Sequence, residues 1–191
     1  MTSEKGDKMK KQLINYETLL KVTQALSMST EPEEIVQLTV ESVKTSLEIK
    51  GCALFLIDPK SKELEVAAAS GLSSEYLNKG PLNSIRSIGQ SLKEGPVAIY
   101  DVRDDPRIQY PKAARKEGIA SILAVPIFIR GNVIGCMRVY SSEPWEFTLE
   151  DVNFVQALAQ IAGVLIDMCR LYQGQREYID VLMNMREARA M

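Results

Sequence analysis

The apolar positions change period several times along the chain, and each change marks an element. Between residues 8 and 28, Leu13, Tyr16, Leu20 and Leu26 recur at roughly helical spacing. Thr30-Glu-Pro-Glu33 then reads as a capping box, in which the Glu33 amide donates to the Thr30 hydroxyl while the Glu33 side chain reaches back. Val36, Val40, Val43 and Leu47 follow at intervals of four, three and four, which predicts a helix with one apolar face. After Gly51 the helical period stops. Residues 52–57, Cys-Ala-Leu-Phe-Leu-Ile, form a short and almost wholly apolar run, as in a strand buried on both faces. Asp58-Pro-Lys-Ser-Lys62 is turn chemistry, and Leu64, Val66 and Ala68 alternate in the strand that follows.

Residues 71–95 are less regular, with a short helix expected around 85–92. Residues 97–100 are the next strand, Asp104-Asp-Pro-Arg107 turns the chain, and residues 109–117 form a short helix closed by Gly118. Residues 119–129 and 133–140 predict a hairpin around Arg130-Gly-Asn132. Thr148 and Asp151 frame a second helix start, followed by apolar Val152, Val155, Leu158, Ala162, Leu165 and Cys169. A heptad-like register runs through the same helix at Leu158, Ile161, Leu165, Met168, Tyr172, Ile179 and Leu182. The order helix–helix–strands–helices–strands–helix is an α+β arrangement.

Composition narrows the chemistry. At 191 residues, 46% apolar and 25% charged, the chain supports one domain with a substantial core. A net charge of −2 and a pI near 5.4 supply no basic field, so neither nucleic acid nor an anionic membrane is an expected partner. No uninterrupted apolar run approaches the ~20 residues that span a bilayer, and the polar start, Met1-Thr-Ser-Glu-Lys5, does not resemble a signal peptide; the expected location is cytoplasmic. Cys52, Cys136 and Cys169 have no metal or disulfide spacing. The complete lack of histidine removes imidazole-based triads and the usual haem and catalytic zinc ligands.

Several blocks together carry a family likeness. Asp101-Val-Arg-Asp-Asp-Pro-Arg107, Ala113-Ala-Arg-Lys-Glu-Gly118, Ser121-Ile-Leu-Ala-Val-Pro126, Gly131-Asn-Val-Ile-Gly135 and Phe147-Thr-Leu-Glu-Asp151 occur in that order. In sequence and spacing they resemble the GAF domain family over roughly residues 31–170. The resemblance implies a central antiparallel sheet of the profilin- and PAS-related kind. Helices would pack on one face, and a small-molecule pocket would lie on the other, roofed by residues 71–118. It also implies three segments: a dimer-associated N-terminal helix over 1–30, the GAF domain over 31–170, and a helical extension over 171–191. Read this way, the chain is a regulatory sensor and not an enzyme, signalling through a homodimer of its terminal helices. The alternatives are a ligand-free dimerisation module and, less favoured, a free methionine sulfoxide reductase. That reductase uses thiolates above the pocket, and residues 71–127 contain no cysteine. The cyclic-nucleotide signature fails at Asn78-Lys-Gly-Pro81, and bilin attachment beside histidine has no histidine to use. The cofactor stays unnamed.

Parity selects the site. In Cys136-Met-Arg-Val-Tyr140, residues 136, 138 and 140 share one strand face, while Met137 and Val139 suit a helix-covered face. Arg138 would then point to the pocket, where a cation needs a partner. Two partners fit: an acidic or carbonyl-bearing ligand, or an acid of the chain such as Glu65 or Asp101, the plainer of the two. Tyr100, Asp101, Arg107 and Tyr110 stand where pockets of this family gain polar contacts, with Asp101 and Asp104 equally suited to capping turns. Ser87 and Gln90 would line the pocket from the short helix, alongside Ser84, which also reads as an N-cap. Cys136 would lie in its floor, and Cys52 and Cys136 read most simply as small buried hydrophobes.

Overall fold

The computed structural model describes residues 16, 17, 19, 20, 23, 24, 27, 31–58, 60–80 and 95–190. Their elements are α1 (Pro32–Ser46), β1 (Gly51–Ile57), β2 (Leu64–Ser70), α2 (Ser74–Leu77), β3 (Val97–Ile99), α3 (Pro111–Lys116), β4 (Ser121–Ile129), β5 (Asn132–Ser141) and α4 (Leu149–Ala190). The strands form one antiparallel sheet in the order β2-β1-β5-β4-β3, so β5 lies at its centre. The architecture is α+β, as the order of elements predicts.

Each face of the sheet has its own core. On one, Ile35, Val36, Val40 and Val43 of α1 and Phe154, Val155, Leu158, Ala159, Ala162 and Ile166 of α4 cover Cys52, Leu54, Leu123, Val125, Met137 and Val139. On the other, Ala53, Phe55, Ile122, Ala124, Cys136 and Tyr140 are covered by Tyr76, Val102, Ala114 and Ile119. Residues 16, 17, 19, 20, 23 and 24 are helical, and Leu19 packs against the helix-side core. Most of the expected helix over 1–30, and the short helix over 85–92, lie outside the described residues.

Local chemistry explains most boundaries. Asp58 accepts from the Lys60 and Ser61 amides and turns the chain between β1 and β2. Arg130 and Gly131 both have positive φ (50° and 80°) in the two-residue loop joining β4 to β5, the backbone of a type I′ hairpin. At the start of α4, the Asp151 carboxylate accepts from the Thr148 amide and hydroxyl, and the Asp151 amide donates back to that hydroxyl.

Three expectations are corrected. The capping box at residue 30 gives way to a start one residue later: Glu31 is the N-cap, without a side-chain cap bond, and Pro32 opens the helix. Proline's fixed φ suits the first helical position, where no amide hydrogen is needed. In β2, Leu54 pairs with Ala68 but Phe55 pairs with Val66, so Ala67 is an extra residue. That bulge inverts the alternation, sending Leu64 to one core and Ala68 to the other and leaving Val66 exposed. Finally, Leu149–Tyr172 is long and apolar enough, at mean hydropathy 1.5, to cross a bilayer. One face of this segment is buried on the sheet, at Val155, Leu158, Ala159, Ala162 and Ile166, as in a core helix.

Pro126 is a special case. It pairs with Cys136 two residues beyond Ala124, where the pairing with β3 has already begun at Val97, so β3 does not flank it. Side chains of α4 serve that flank instead. Gln156 donates to the Pro126 carbonyl at 2.7 Å, while Gln160 donates to the Phe128 carbonyl and accepts from the Phe128 amide at 3.2 Å. Pro126 thus sits where a ladder amide is dispensable.

The closest backbone approach is at Gly135 in β5. A Cβ there would lie 2.1 Å from the Phe55 carbonyl oxygen and 3.1 Å from the Leu56 Cα, both backbone atoms of the paired strand. Gly135→Ala is expected to destabilise the fold by about 1–3 kcal/mol or more, because the obstruction is main chain and cannot rotate away. A urea midpoint unchanged from wild type would show that the strands separate more easily than this packing implies.

Candidate functional site

The alternation of β5 builds the site. With Met137 and Val139 committed to the helix-side core, Cys136, Arg138 and Tyr140 face the opposite side. The cross-strand neighbours of Arg138 are Ala53 on β1 and Ala124 on β4, two of the smallest side chains available. Tyr140 pairs with Gly51 and Ile122. Phe55 lies under Arg138, with the guanidinium carbon 4.9 Å from the ring centroid.

Above them sits α2. Its N-cap, Ser73, accepts from the Tyr76 amide and is anchored by Glu117, which accepts from both the amide and the hydroxyl of Ser73. This sets Tyr76 edge-on against Tyr140, with centroids 5.9 Å apart and planes at 86°. Lys79 folds back over Tyr76: its Nζ is 3.7 Å from the ring centroid and donates to the Tyr76 carbonyl at 2.8 Å. Glu117 also has Lys50 at 3.9 Å. Cys136, Arg138, Tyr140, Tyr76, Lys79 and Glu117 therefore form one cluster from three parts of the chain.

Two members are left with unmade bonds. Arg138 is 6% exposed and Tyr140 1% exposed. The Arg138 Nε and the Tyr140 hydroxyl are both buried without a hydrogen-bond partner. No ion pair involves Arg138 among the described residues. The expected pairing with Glu65 or Asp101 is thus corrected. Glu65 is exposed on the edge strand β2, with β1 between it and β5, and Asp101 binds the Arg103 amide and guanidinium instead. A buried guanidinium keeps its charge, and leaving it unmatched is costly.

Burial also tunes the neighbours. It pushes the Tyr140 phenol well above its ordinary value and the Tyr76 phenol up to about 12, so both remain protonated at neutral pH and Tyr140 can donate. Burial, and then the nearby Arg138 charge, lowers the Lys79 ammonium to about 8, with Glu117 acting in the opposite sense. Burial raises the Cys52 and Cys136 thiols, leaving them as inert thiols at neutral pH.

The other candidates are spread out. Tyr100 is 52% exposed beyond β3, where Val97 and Ile99 take the inward positions. Arg103 holds Asp101 low, at about 2, in the turn role that its sequence context suggests. Arg107 binds the Asp105 carboxylate and the Ala98 carbonyl, so its fork is already engaged. Tyr110 is half-buried at the margin of the site-side core, its hydroxyl accepting from Gln109. Ser84, Ser87 and Gln90 lie outside the described residues. Sequence reasoning missed Lys79, Tyr76 and Glu117, which no local pattern connects to β5. Tyr140 shares the parity of Arg138 and could have been chosen on that ground.

The sequence profile of the GAF domain family matches residues 29–167. This chain belongs to the GAF domain family. Among solved structures, it is similar to the GAF domain of a phosphoenolpyruvate-protein phosphotransferase from Coxiella burnetii, at 22% identity and TM-score 0.76, covering 85% of this chain and 98% of that one. It is also similar to the GAF domain of the corresponding Acinetobacter protein, at 19% identity and TM-score 0.71, covering 84% and 97%. A third similar structure is free methionine-R-sulfoxide reductase from Neisseria meningitidis in complex with its substrate, at 22% identity and TM-score 0.71, covering 83% and 91%. Identities this low establish a shared fold only. Among curated protein sequences, none matches.

The burial of the cysteines in this GAF domain gives a direct test. Cys52 and Cys136 are expected to resist a thiol reagent in the native protein at neutral pH and to react on unfolding. Native-state labelling of either, read by peptide mass spectrometry, would contradict the closed packing described above.

Proposed function

We propose that this GAF domain is a non-catalytic regulatory module that binds a small molecule through Arg138 and reports its occupancy through paired terminal helices. The observation that carries the reading is the buried Arg138 guanidinium, which has no carboxylate partner among the described residues and two alanines as strand neighbours. A ligand with an acidic or carbonyl group would supply the missing acceptor, and a planar guanidinium suits such a group. A reductase reading is weaker: residues 71–127 hold no cysteine, and Cys136, beside Arg138, is a buried thiol with a raised pKa. A ligand-free dimerisation module remains the alternative, and retention of a ligand separates the two. Protein purified from its own host and analysed by native mass spectrometry is expected to carry a small molecule that Arg138→Leu loses. An empty wild-type protein under those conditions would favour the scaffold reading.

The output would run through β5 into α4. Met137 and Val139, the immediate neighbours of Arg138, pack in the core that α4 covers. The helix then continues to Ala190, well past the domain. The expected seam is changed at its start, because Leu158 is fully buried and Ile161 and Leu165 pack on the domain's own core. Beyond Leu149 at its start, the exposed apolar side chains among the described residues of the helix are Val164, Met168, Leu171, Tyr172, Tyr178, Ile179, Met183 and Met185. Val164, Met168, Leu171, Gln175, Tyr178, Leu182 and Met185 alternate by four and three along the chain, the spacing of a coiled-coil seam. A second copy presents the same repeat, and Gln175 would be the polar position that fixes its register. Light scattering at micromolar concentration is expected to give a dimer that Met168→Glu/Leu171→Glu converts to monomer. A wild-type monomer would remove the helix-pairing part of this reading.

A further inference from the structure

The orphaned bonds of the cluster say more than that Arg138 needs an acceptor. Arg138 and Tyr140 are two residues apart on one face of β5, both buried, and each has a polar atom without a partner. The Tyr140 ring meets the Tyr76 ring edge-on. The Lys79 ammonium lies over the Tyr76 ring, 3.7 Å from its centroid and near enough to feel the Arg138 charge, with one donor used on the Tyr76 carbonyl. Two cations and a phenol are thus gathered over one face of the sheet, and Ala53, Phe55, Ile122 and Ala124, buried in the same core, are apolar. Among the described residues the acid that acts on Lys79 is Glu117, which is already engaged by Ser73 and Lys50. A neutral carbonyl could satisfy one donor, but it would leave the positive charge unmatched.

Building on the ligand-binding reading above, we propose that the site takes an oxyanion, a carboxylate or a phosphate or sulfate group, held jointly by Arg138, Tyr140 and Lys79. The Arg138 Nε and the Tyr140 hydroxyl donate from the floor, and Lys79 closes the anion from α2. The arrangement also makes affinity depend on pH. Among the described residues the groups that act on Lys79 are Arg138 on β5, Tyr76 on α2 and Glu117 after α3. Of the residues in this cluster, Lys79 is the one poised near neutrality, at about 8, set by burial first and Arg138 second. An anion binds its protonated form, so affinity is fully present below that value and falls as the pH rises through it.

The test uses sulfate, acetate and acetamide as probes of the intact protein. The Ala53 and Ala124 methyl resonances, which flank Arg138, report binding by NMR at matched ionic strength. Sulfate or acetate is expected to bind saturably and acetamide much more weakly. Preference between the two anions identifies a tetrahedral or a planar group. Tyr140→Phe and Lys79→Met are each expected to weaken the anion about tenfold, as for loss of one charge-assisted bond. Sulfate affinity is expected to fall between pH 7 and pH 9 in wild type and to stay level in Lys79→Met. Equal binding of acetamide and acetate, both lost in Arg138→Leu, would keep the ligand-binding reading and overturn the oxyanion. An unchanged pH profile in Lys79→Met would remove Lys79 from the site. No saturable response to any probe would overturn both proposals.

Discussion

The period-two alternation of β5 is the constraint on which the rest of this domain depends. β5 is paired along both edges, and from Gly135 to Tyr140 both of its faces are covered, so each side chain there belongs to one core or the other. Met137 and Val139 meet the helices, which obliges Arg138 to enter the opposite side. A shift of one residue would place the guanidinium among Leu158, Ala159 and Ala162, where it would meet only apolar groups. The domain therefore positions a buried cation with the same hydrogen bonds that hold its sheet together, between the small Ala53 and Ala124 of the flanking strands.

The long helix α4 meets a different set of demands along its length. Near its start, Gln156 and Gln160 supply hydrogen bonds to β4 at Pro126 and Phe128, beyond the reach of the three-residue strand β3. Farther along, Gly163 lets the helix approach the sheet so closely that a Cβ would meet the Ile127 side chain at 2.3 Å. Past the domain the same helix exposes Leu171, Tyr178, Ile179, Met183 and Met185. One apolar element thus serves as core, as edge cover and as an unpartnered surface. Its apolar part is concentrated in Leu149–Tyr172, the stretch that covers the sheet, which is why that stretch is long and apolar enough to cross a bilayer.

Local signals in the chain fixed a good deal. The hairpin at Arg130-Gly131, the Thr148–Asp151 helix start and the inward orientation of Arg138 all follow from backbone geometry and period, which act over a few residues. So does the family, because its blocks occupy turns and strand ends whose backbone demands few residue types. What only the tertiary structure decided is which distant groups meet. The extra residue at Ala67 is invisible until β2 is paired with β1. Asp101 satisfies Arg103 at close range, leaving Arg138 without the acid that the sequence offered it. Lys79 joins Arg138 because Ser73 and Glu117, far apart in the chain, tie α2 over the sheet. Charge matching and burial depend on the three-dimensional neighbourhood, and a one-dimensional pattern carries the faces of the elements but not the partners that those faces meet.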